Sequence, residues 1–216
     1  MVQLFRGIEE IPVLAREGAI VPLKNMEVFD NDTDNPKSLE IKIFPGKTGS
    51  FTLWEDEGDC VEESWVETKL EKAQEEGKDC FIIHSPQGNT AVLPEKRCWK
   101  LDFVKIKENT VSVLVDGKET AYKATVEKNG MCIEITEVPV NAEIKVVFEN
   151  PIEESLADLA QEAYAILEKA QISYNLKSDL YEIIKEQQKG AIATLASMEL
   201  EPAMFGALCE ILTAEK

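Results

Sequence analysis

The most closely spaced acidic side chains of the sequence lie in the run Glu55-Asp56-Glu57-Gly58-Asp59. Hydrolysis of a glycosidic bond needs two carboxyl groups held about 5–9.5 Å apart across the sugar. Neighbouring side chains on a strand point to opposite faces, so these carboxylates cannot easily converge on one sugar. Clustered carboxylates can also bind calcium, but the spacing is not that of an EF-hand loop. Because Asp and Gly favour turns, we interpret the run as a turn that leaves a strand.

Other reactive side chains are scattered. His84 is the single histidine and ends the apolar run 81–83, so we expect a structural role rather than that of a catalytic base. The cysteines are widely spaced, and none forms a CxxC pair: they are Cys60, Cys80, Cys98, Cys132 and Cys209. With one histidine, this pattern argues against a zinc site. We therefore predict no catalytic residue, no metal and no cofactor, and scattered thiols favour a reducing, cytoplasmic location.

Three tryptophans are the candidate carbohydrate-binding residues: Trp54, Trp65 and Trp99. A flat aromatic ring can stack on the apolar C–H face of a pyranose. The alternative is core packing or contact between domains, which is the usual role of large aromatic side chains in sandwiches. Nothing in the sequence places the three on one face, so both interpretations stay open.

The charge limits the class of partner. There are 41 acidic and 23 basic residues, which gives a net charge of −18. Such a chain repels the phosphates of nucleic acids and the anionic surface of a membrane. No apolar run approaches the ~20 residues of a membrane span, and no charged-then-apolar leader opens the chain. We expect a partner or ligand that is neither nucleic acid nor membrane.

Up to residue 150 the pattern is that of short strands separated by turn residues. Alternation over 39–44 and 50–54, with Gly46-Lys47-Thr48-Gly49 between them, predicts a hairpin. Asp116-Gly117 and Asn129-Gly130 are typical of two-residue hairpin turns. Further strands are predicted at 80–84, 90–93, 99–106, 110–115, 131–135 and 142–148. Many short strands at this spacing favour a mainly β fold, an antiparallel β-sandwich.

After Pro151 the apolar period becomes helical. One apolar stripe contains Ile152, Leu156, Leu159, Ala160, Ala163 and Leu167. A second helix is predicted from about Ser178, with an extension past Gly190, and Pro202 is predicted to open the last one. Three amphipathic helices in sequence predict a small helical bundle after the sandwich.

Three blocks of the sequence resemble glycoside hydrolase family 31. Residues 7–23, the first block, read GIEEIPVLAREGAIVPL and are similar to the segment that follows the catalytic barrel in that family. Residues 39–59, the second block, resemble the signature pG…GsF.LYEDDGD, with Trp54 in place of Tyr and Glu57 in place of Asp. The third block, residues 93–97, reads LPEKR. The blocks follow the family order and cover about residues 5 to 150.

In the first block, alternation of Glu9, Ile11 and Val13 predicts a strand, and Gly18 predicts a tight turn. The resemblance implies three regions: 1–25, the remnant of a proximal C-terminal β-domain; 26–150, a distal β-sandwich; and 151–216, a helical tail outside the family core.

The resemblance also implies a function. The family's two catalytic aspartates lie in a (β/α)8 barrel that precedes the first block, so that barrel is absent here and this chain is expected to be inactive. The parent enzyme would be an α-glucosidase-type hydrolase that cleaves terminal α-glycosidic bonds with retention, on α-glucosides or α-xylosides. The chain would be its non-catalytic accessory region, bracing its own barrel. The alternatives are a carbohydrate-binding module and a protein-interaction or homo-oligomerisation module formed by the helical tail.

Overall fold

The computed structural model describes residues 4–5, 9, 11–25, 34–58, 64–127, 130–155 and 158–213. Contacts divide the chain into two compact units. The sandwich unit is Ala15–Ser155, and the helical unit combines Met1–Leu14 with Leu156–Lys216. The helical unit is therefore discontinuous in sequence.

The described residues of the sandwich unit form twelve strands. In chain order they are β1 (Ile20–Lys24), β2 (Ser38–Ile43), β3 (Gly49–Asp56), β4 (Trp65–Glu75), β5 (Lys78–Ile83), β6 (Gln87–Gly88), β7 (Lys96–Val104), β8 (Val111–Val115), β9 (Lys118–Glu119), β10 (Lys123–Glu127), β11 (Gly130–Pro139) and β12 (Ile144–Phe148).

The strands form two sheets. The first sheet has the order β1-β2-β7-β11-β10, and the second has the order β3-β4-β5-β12-β8-β9, with β6 added to β4. β2 and β7 run parallel, while the other described pairs are antiparallel. The predicted mainly β class and the sandwich with a helical tail are confirmed.

Alternation along the strands builds the core between the sheets. On β7, Arg97, Trp99, Leu101 and Phe103 are buried while the residues between them are partly exposed, as a period of two requires. Phe103 lies edge-to-face with a phenylalanine of the second sheet, Phe148, at a ring-centroid distance of 5.1 Å. Apolar side chains from both sheets are thus packed into one cluster.

The predicted hairpin between 39–44 and 50–54 is wrong. β2 pairs with β1 and β7 in the first sheet, whereas β3 pairs with β4 in the second. The glycine-containing segment turns the chain from one sheet to the other, and its carbonyl at Pro45 accepts a hydrogen bond from the N–H of Gly18. The turn residues therefore predicted the change of chain direction correctly. They did not predict which strands pair, because β2 pairs with β1 and β7, and β3 pairs with β4.

Two other predicted strands are absent. Segment 90–93 is a 3₁₀ turn (Thr90–Val92), because the side chain of Asn89 accepts a hydrogen bond from the N–H of Ala91 and favours a turn over an extended chain. Glu9, Ile11 and Val13 lie outside any strand, and Ile11 is 88% exposed. Residues 7, 8 and 10 of that segment lie outside the described residues.

Some turns were predicted correctly and others were missed. Asp116 and Gly117 both have positive φ, 49° and 74°, and connect β8 to β9 as a two-residue hairpin. Glu76 and Gly77 form the same kind of turn, with φ of 51° and 81°, between β4 and β5. Glutamate is unusual in a left-handed conformation, so Glu76 did not predict a turn at the end of β4.

In the part of the helical unit that the structure describes, there are four α-helices: α1 (Leu159–Lys169), α2 (Tyr174–Gln187), α3 (Ala191–Ala196) and α4 (Pro202–Thr213). α1 begins after Asp158, whose carboxylate accepts from the N–H of Gln161, rather than at Pro151. Ile152 packs against the sandwich core instead, and Leu156 lies outside the described residues.

α2 begins four residues before the predicted start, because Ser173 caps it by accepting from the N–H of Leu176. The predicted extension is interrupted at Gln188, whose φ is 51°, and resumes as α3. α4 begins at Pro202 as predicted. Along the described helices, none is long and apolar enough to cross a membrane.

At the other end of the sequence, Phe5 belongs to the helical unit and lies against α4. Its N–H donates to Glu210 at 2.8 Å. A Cβ at Gly206 would lie 2.2 Å from Cζ of Phe5, so the ring occupies the space left by the missing side chain. The first and last parts of the described chain are therefore packed in one unit.

Candidate functional site

The first and second blocks meet through backbone contacts that only glycine allows. Gly18 has φ of 72°, and a Cβ there would lie 2.1 Å from the carbonyl oxygen of Thr48. A Cβ at Gly49 would lie 2.0 Å from the carbonyl oxygen of Gly18, and one at Gly46 would lie 2.5 Å from the Gly18 nitrogen. Three glycines of the family-like pattern thus permit two chain segments to touch without intervening side chains.

The second and third blocks meet through a buried ion pair. Both terminal nitrogens of Arg97 donate to Glu55, at 2.9 Å and 2.7 Å. The side chains are 1% and 6% exposed. Nε of Arg97 also donates to the carbonyl of Pro36 at 2.9 Å, and the guanidinium lies 5.6 Å from the ring centroid of Trp99. The bidentate geometry fixes the first sheet against the second.

This pair explains the orientation of Glu55 within the acidic run. Glu55 points into the sandwich, while Asp56 points outward and accepts from the N–H of Gly58 at 2.8 Å. The two carboxylates therefore lie on opposite faces of β3, as the strand period predicts. The turn predicted after the strand is present, and Asp59 lies outside the described residues.

Two of the predicted tryptophans form a surface pair. The rings of Trp54 and Trp65 are stacked, with centroids 4.5 Å apart and planes 18° apart. They lie on adjacent strands, since Trp54 pairs with Glu67 and Trp65 with Asp56 across β3 and β4. Trp54 is 52% exposed and Trp65 is 38% exposed. The pair leaves an aromatic surface open on the outer face of the second sheet.

Trp99 has a different environment. It is 5% exposed and belongs to the sandwich core, where it also contacts the Arg97 guanidinium. Core packing, the alternative weighed from the sequence, is the role that the structure gives to this ring. It offers no free face to a ligand.

A polar cavity of about 360 Å³ adjoins the tryptophan pair. Glu67, the cross-strand partner of Trp54, lines it. The other lining residues are Thr52, Lys69, His84, Ser85 and Gln87. An aromatic platform beside several hydrogen-bonding groups is an arrangement suited to a neutral polyhydroxylated ligand.

Two side chains that line this cavity, His84 and Lys69, share one carboxylate beside it, that of Glu71. Nε2 of His84 lies 3.0 Å from Glu71, and Nζ of Lys69 donates to the same carboxylate at 2.7 Å. These two hydrogen bonds, the lysine's being the larger effect, hold the pKa of Glu71 below its usual value. His84 therefore has a structural partner, in agreement with the role expected from the sequence.

Sequence reasoning missed the cavity because its residues come from three separate segments. Thr52 and Lys69 pair across β3 and β4, and Glu67 pairs with Gln87 through the short β6. The alternation of β3 placed Thr52 and Trp54 on one face, but β4 was not predicted. Within the described ranges, no group of three His, Cys, Asp or Glu side chains is arranged to hold a metal ion.

Comparisons with known proteins found likenesses among solved structures. A GH31 dextranase of Flavobacterium johnsoniae matches with 18% identity and a TM-score of 0.46, over 61% of this chain and 19% of the enzyme. That dextranase has been solved in complex with isomaltotriose and with glucose. A GH31 α-xylosidase from Xanthomonas citri matches with 20% identity and a TM-score of 0.36, over 60% of this chain and 12% of the enzyme.

No protein-family model matches the sequence, and no curated protein matches it. This chain spans about a fifth of the length of the dextranase. The dextranase and the α-xylosidase are both described as GH31 enzymes.

Proposed function

We propose that this chain is the non-catalytic C-terminal accessory region of an α-glucosidase-type glycoside hydrolase. The observation that carries the proposal is the joining of the three sequence blocks. Gly18, Gly46 and Gly49 interlock the first two, and Arg97 with Glu55 ties the second to the third. Residues that resemble a family signature thus form one connected framework, and no two carboxylates converge among those of its residues that the structure describes.

Exposed apolar side chains support the proposal that another domain packs against this region. Ile11, Val13 and Leu14 are 88%, 87% and 75% exposed. A run of large apolar side chains left in water is typical of a surface that another domain covers. In the proposed parent enzyme, the catalytic barrel would cover this segment, and the accessory region would brace it.

Activity and binding assays test this proposal. The purified chain should not hydrolyse p-nitrophenyl α-glucoside or α-xyloside above the rate of a mock purification. It should bind the isolated catalytic barrel encoded directly upstream in its own reading frame. Hydrolysis by the chain itself, or the absence of an in-frame barrel upstream, would contradict the proposal.

The tryptophan pair favours a second candidate function, carbohydrate binding. Its open aromatic surface adjoins a cavity with hydrogen-bonding groups, and neither charge sign dominates there because Glu67 and Lys69 both line it. We propose that a neutral oligosaccharide stacks on Trp54 and reaches its hydroxyls into the cavity.

Titration with isomaltotriose, followed by tryptophan fluorescence, tests this second candidate. Trp54→Ala should weaken binding by about tenfold or more, since loss of an aromatic stack costs on the order of 1 kcal/mol or more. Tyr174→Ala is the matched control, because Tyr174 is an 82% exposed aromatic residue of the helical unit. Equal affinity of the two variants would argue against a site at the pair.

A further inference from the structure

The first sheet ends at an edge strand, β10, that is exposed along its whole length. β10 pairs with β11, and among the described residues no strand pairs with its other side. All of its residues, Lys123–Glu127, are exposed. The backbone N–H and C=O groups on the outer side of such a strand are a template for the addition of another strand.

One face of β10 continues the apolar face of the sandwich core. Ala124 and Val126 lie directly opposite Ile133 and Met131 of β11, so they share the core face of the sheet. Ile133 and Met131 are 0% and 2% exposed, whereas Val126 is 55% exposed. The apolar face of the sheet therefore extends beyond the buried core to its edge.

The other face of β10 is polar and has opposite charges at its two ends. Lys123, Thr125 and Glu127 alternate with the apolar residues and lie on the outer face. Nζ of Lys123 lies 3.4 Å from a carboxylate oxygen of Glu134 on β11, yet the lysine side chain is still 71% exposed. The strand therefore presents a basic end, a neutral centre and an acidic end, and this order is complementary to itself when it is read backwards.

We propose that β10 is a docking edge for a second copy of this chain, which adds its own β10 in antiparallel register about Thr125. A two-fold axis at Thr125 places Lys123 opposite Glu127 of the second copy, and Glu127 opposite the second copy's lysine. On the core face, Ala124 lies opposite Val126 of the second copy, so the exposed valine of each copy gains an apolar neighbour. The first sheets of the two copies then form one continuous sheet.

The charges of β10 favour a second copy over an unrelated strand. Like charges directly opposite each other on a sheet are destabilising, so a partner strand must carry an acidic residue opposite Lys123 and a basic one opposite Glu127. Antiparallel pairing of the strand with itself meets both conditions, whereas parallel pairing would place lysine opposite lysine. This self-association lies at the sandwich rather than at the helical tail, and it does not depend on the proposed accessory role.

Charge exchange tests the inference on the full chain, by sedimentation velocity over a dilution series at physiological salt. The parent chain should reach twice the monomer mass as its concentration rises towards millimolar, because a single short strand makes a small and weak interface. Lys123→Glu and Glu127→Lys should each raise the dimer dissociation constant at least about fivefold, since each turns two cross-strand pairs from opposite to like charge.

An equimolar mixture of these two variants should recover dimerisation, because both cross-strand pairs are then of opposite charge again. Recovery would also show that each variant keeps its fold. Lys189→Glu is the matched control, being the same change at an exposed residue of the helical unit, and it should leave the dissociation constant unchanged.

Disulfide trapping tests the register. Facing Cα atoms of an antiparallel pair lie about 4.5–5.5 Å apart, a distance that a disulfide can span. Thr125→Cys should therefore give a covalent dimer under mild oxidation, whereas Val126→Cys should give little more than the parent chain with its native thiols. A monomer at every concentration, a dimer that neither charge change weakens, or equal cross-linking at positions 125 and 126 would overturn the inference.

Discussion

Glu55 and Arg97 form a buried ion pair between the two sheets of the sandwich. Taking two charges out of water is costly, and here the cost is offset by a bidentate contact, a third hydrogen bond to Pro36 and the nearby ring of Trp99. If one partner is removed, the other remains as an uncompensated buried charge.

Glu55→Ala should therefore destabilise the protein by about 3–5 kcal/mol in denaturant unfolding followed by tryptophan fluorescence. Lys96→Ala is the control, since Lys96 precedes Arg97 on β7 but forms an exposed pair with Glu137, with 55% and 71% exposure. That variant should change the free energy of unfolding by no more than about 1 kcal/mol. Comparable losses in both variants would show that the buried pair has no special weight.

Burial also decides thiol reactivity. It raises the pKa of Cys132 to about 11, and the side chain is 2% exposed. The reactive thiolate is therefore scarce at pH 8, and the reagent cannot reach it. In native protein at pH 8, Ellman's reagent should leave Cys132 unmodified while the partly exposed Cys98 reacts; both should react in denaturant. Rapid native labelling of Cys132 would contradict the burial seen here.

Among the elements, the contact between Gly18 and the segment 45–49 connects the two sheets. Both positive φ and a close backbone approach require glycine at position 18. Gly77 has positive φ as well, 81°, but a Cβ there would meet nothing within 4 Å. An alanine at position 77 would therefore meet only the strain of positive φ, whereas an alanine at position 18 would also clash with the backbone of Thr48.

Gly18→Ala should lower the free energy of unfolding by more than Gly77→Ala, whose cost should stay near the 1–2 kcal/mol of a left-handed conformation. The difference is measured by urea denaturation of both variants. If Gly77→Ala were equally damaging, the backbone approach at Gly18 would not matter for stability.

Elements with local signals were predictable from the sequence, and their partners were not. Alternation predicted β2 and most of β7, Asp116-Gly117 predicted a hairpin, and Pro202 predicted α4. The pairing of β2 with β7, and the crossing from β2 to β3, depend on residues far apart in sequence. For the same reason the sequence singles out the tryptophans but not their stack. The stack of Trp54 on Trp65 needs β4, whose inward face carries the polar Thr68 between apolar residues and so weakens the alternation.

At the scale of the whole molecule, the two units contain different hydrophobic clusters and different spectroscopic probes. Trp54, Trp65 and Trp99 all belong to the sandwich unit, and α1 to α4 all belong to the helical unit. Tryptophan fluorescence therefore reports on one unit, and ellipticity at 222 nm mainly on the other.

Thermal unfolding should show different midpoints by these two probes, because each cluster has its own composition and size. Glu55→Ala should lower the fluorescence midpoint far more than the ellipticity midpoint. Coincident midpoints in both the parent protein and the variant would indicate one cooperative transition.

The contact of Phe5 with α4 has a consequence for biosynthesis. The N–H of Phe5 and the carboxylate of Glu210 belong to residues 205 positions apart, so the ribosome adds Glu210 long after Phe5. In that interval the segment with Phe5 and the exposed Ile11, Val13 and Leu14 has no α4 to pack against while the sandwich strands are made. Such an apolar segment suits chaperones that hold nascent chains, and the helical unit is completed only once α4 has left the ribosome.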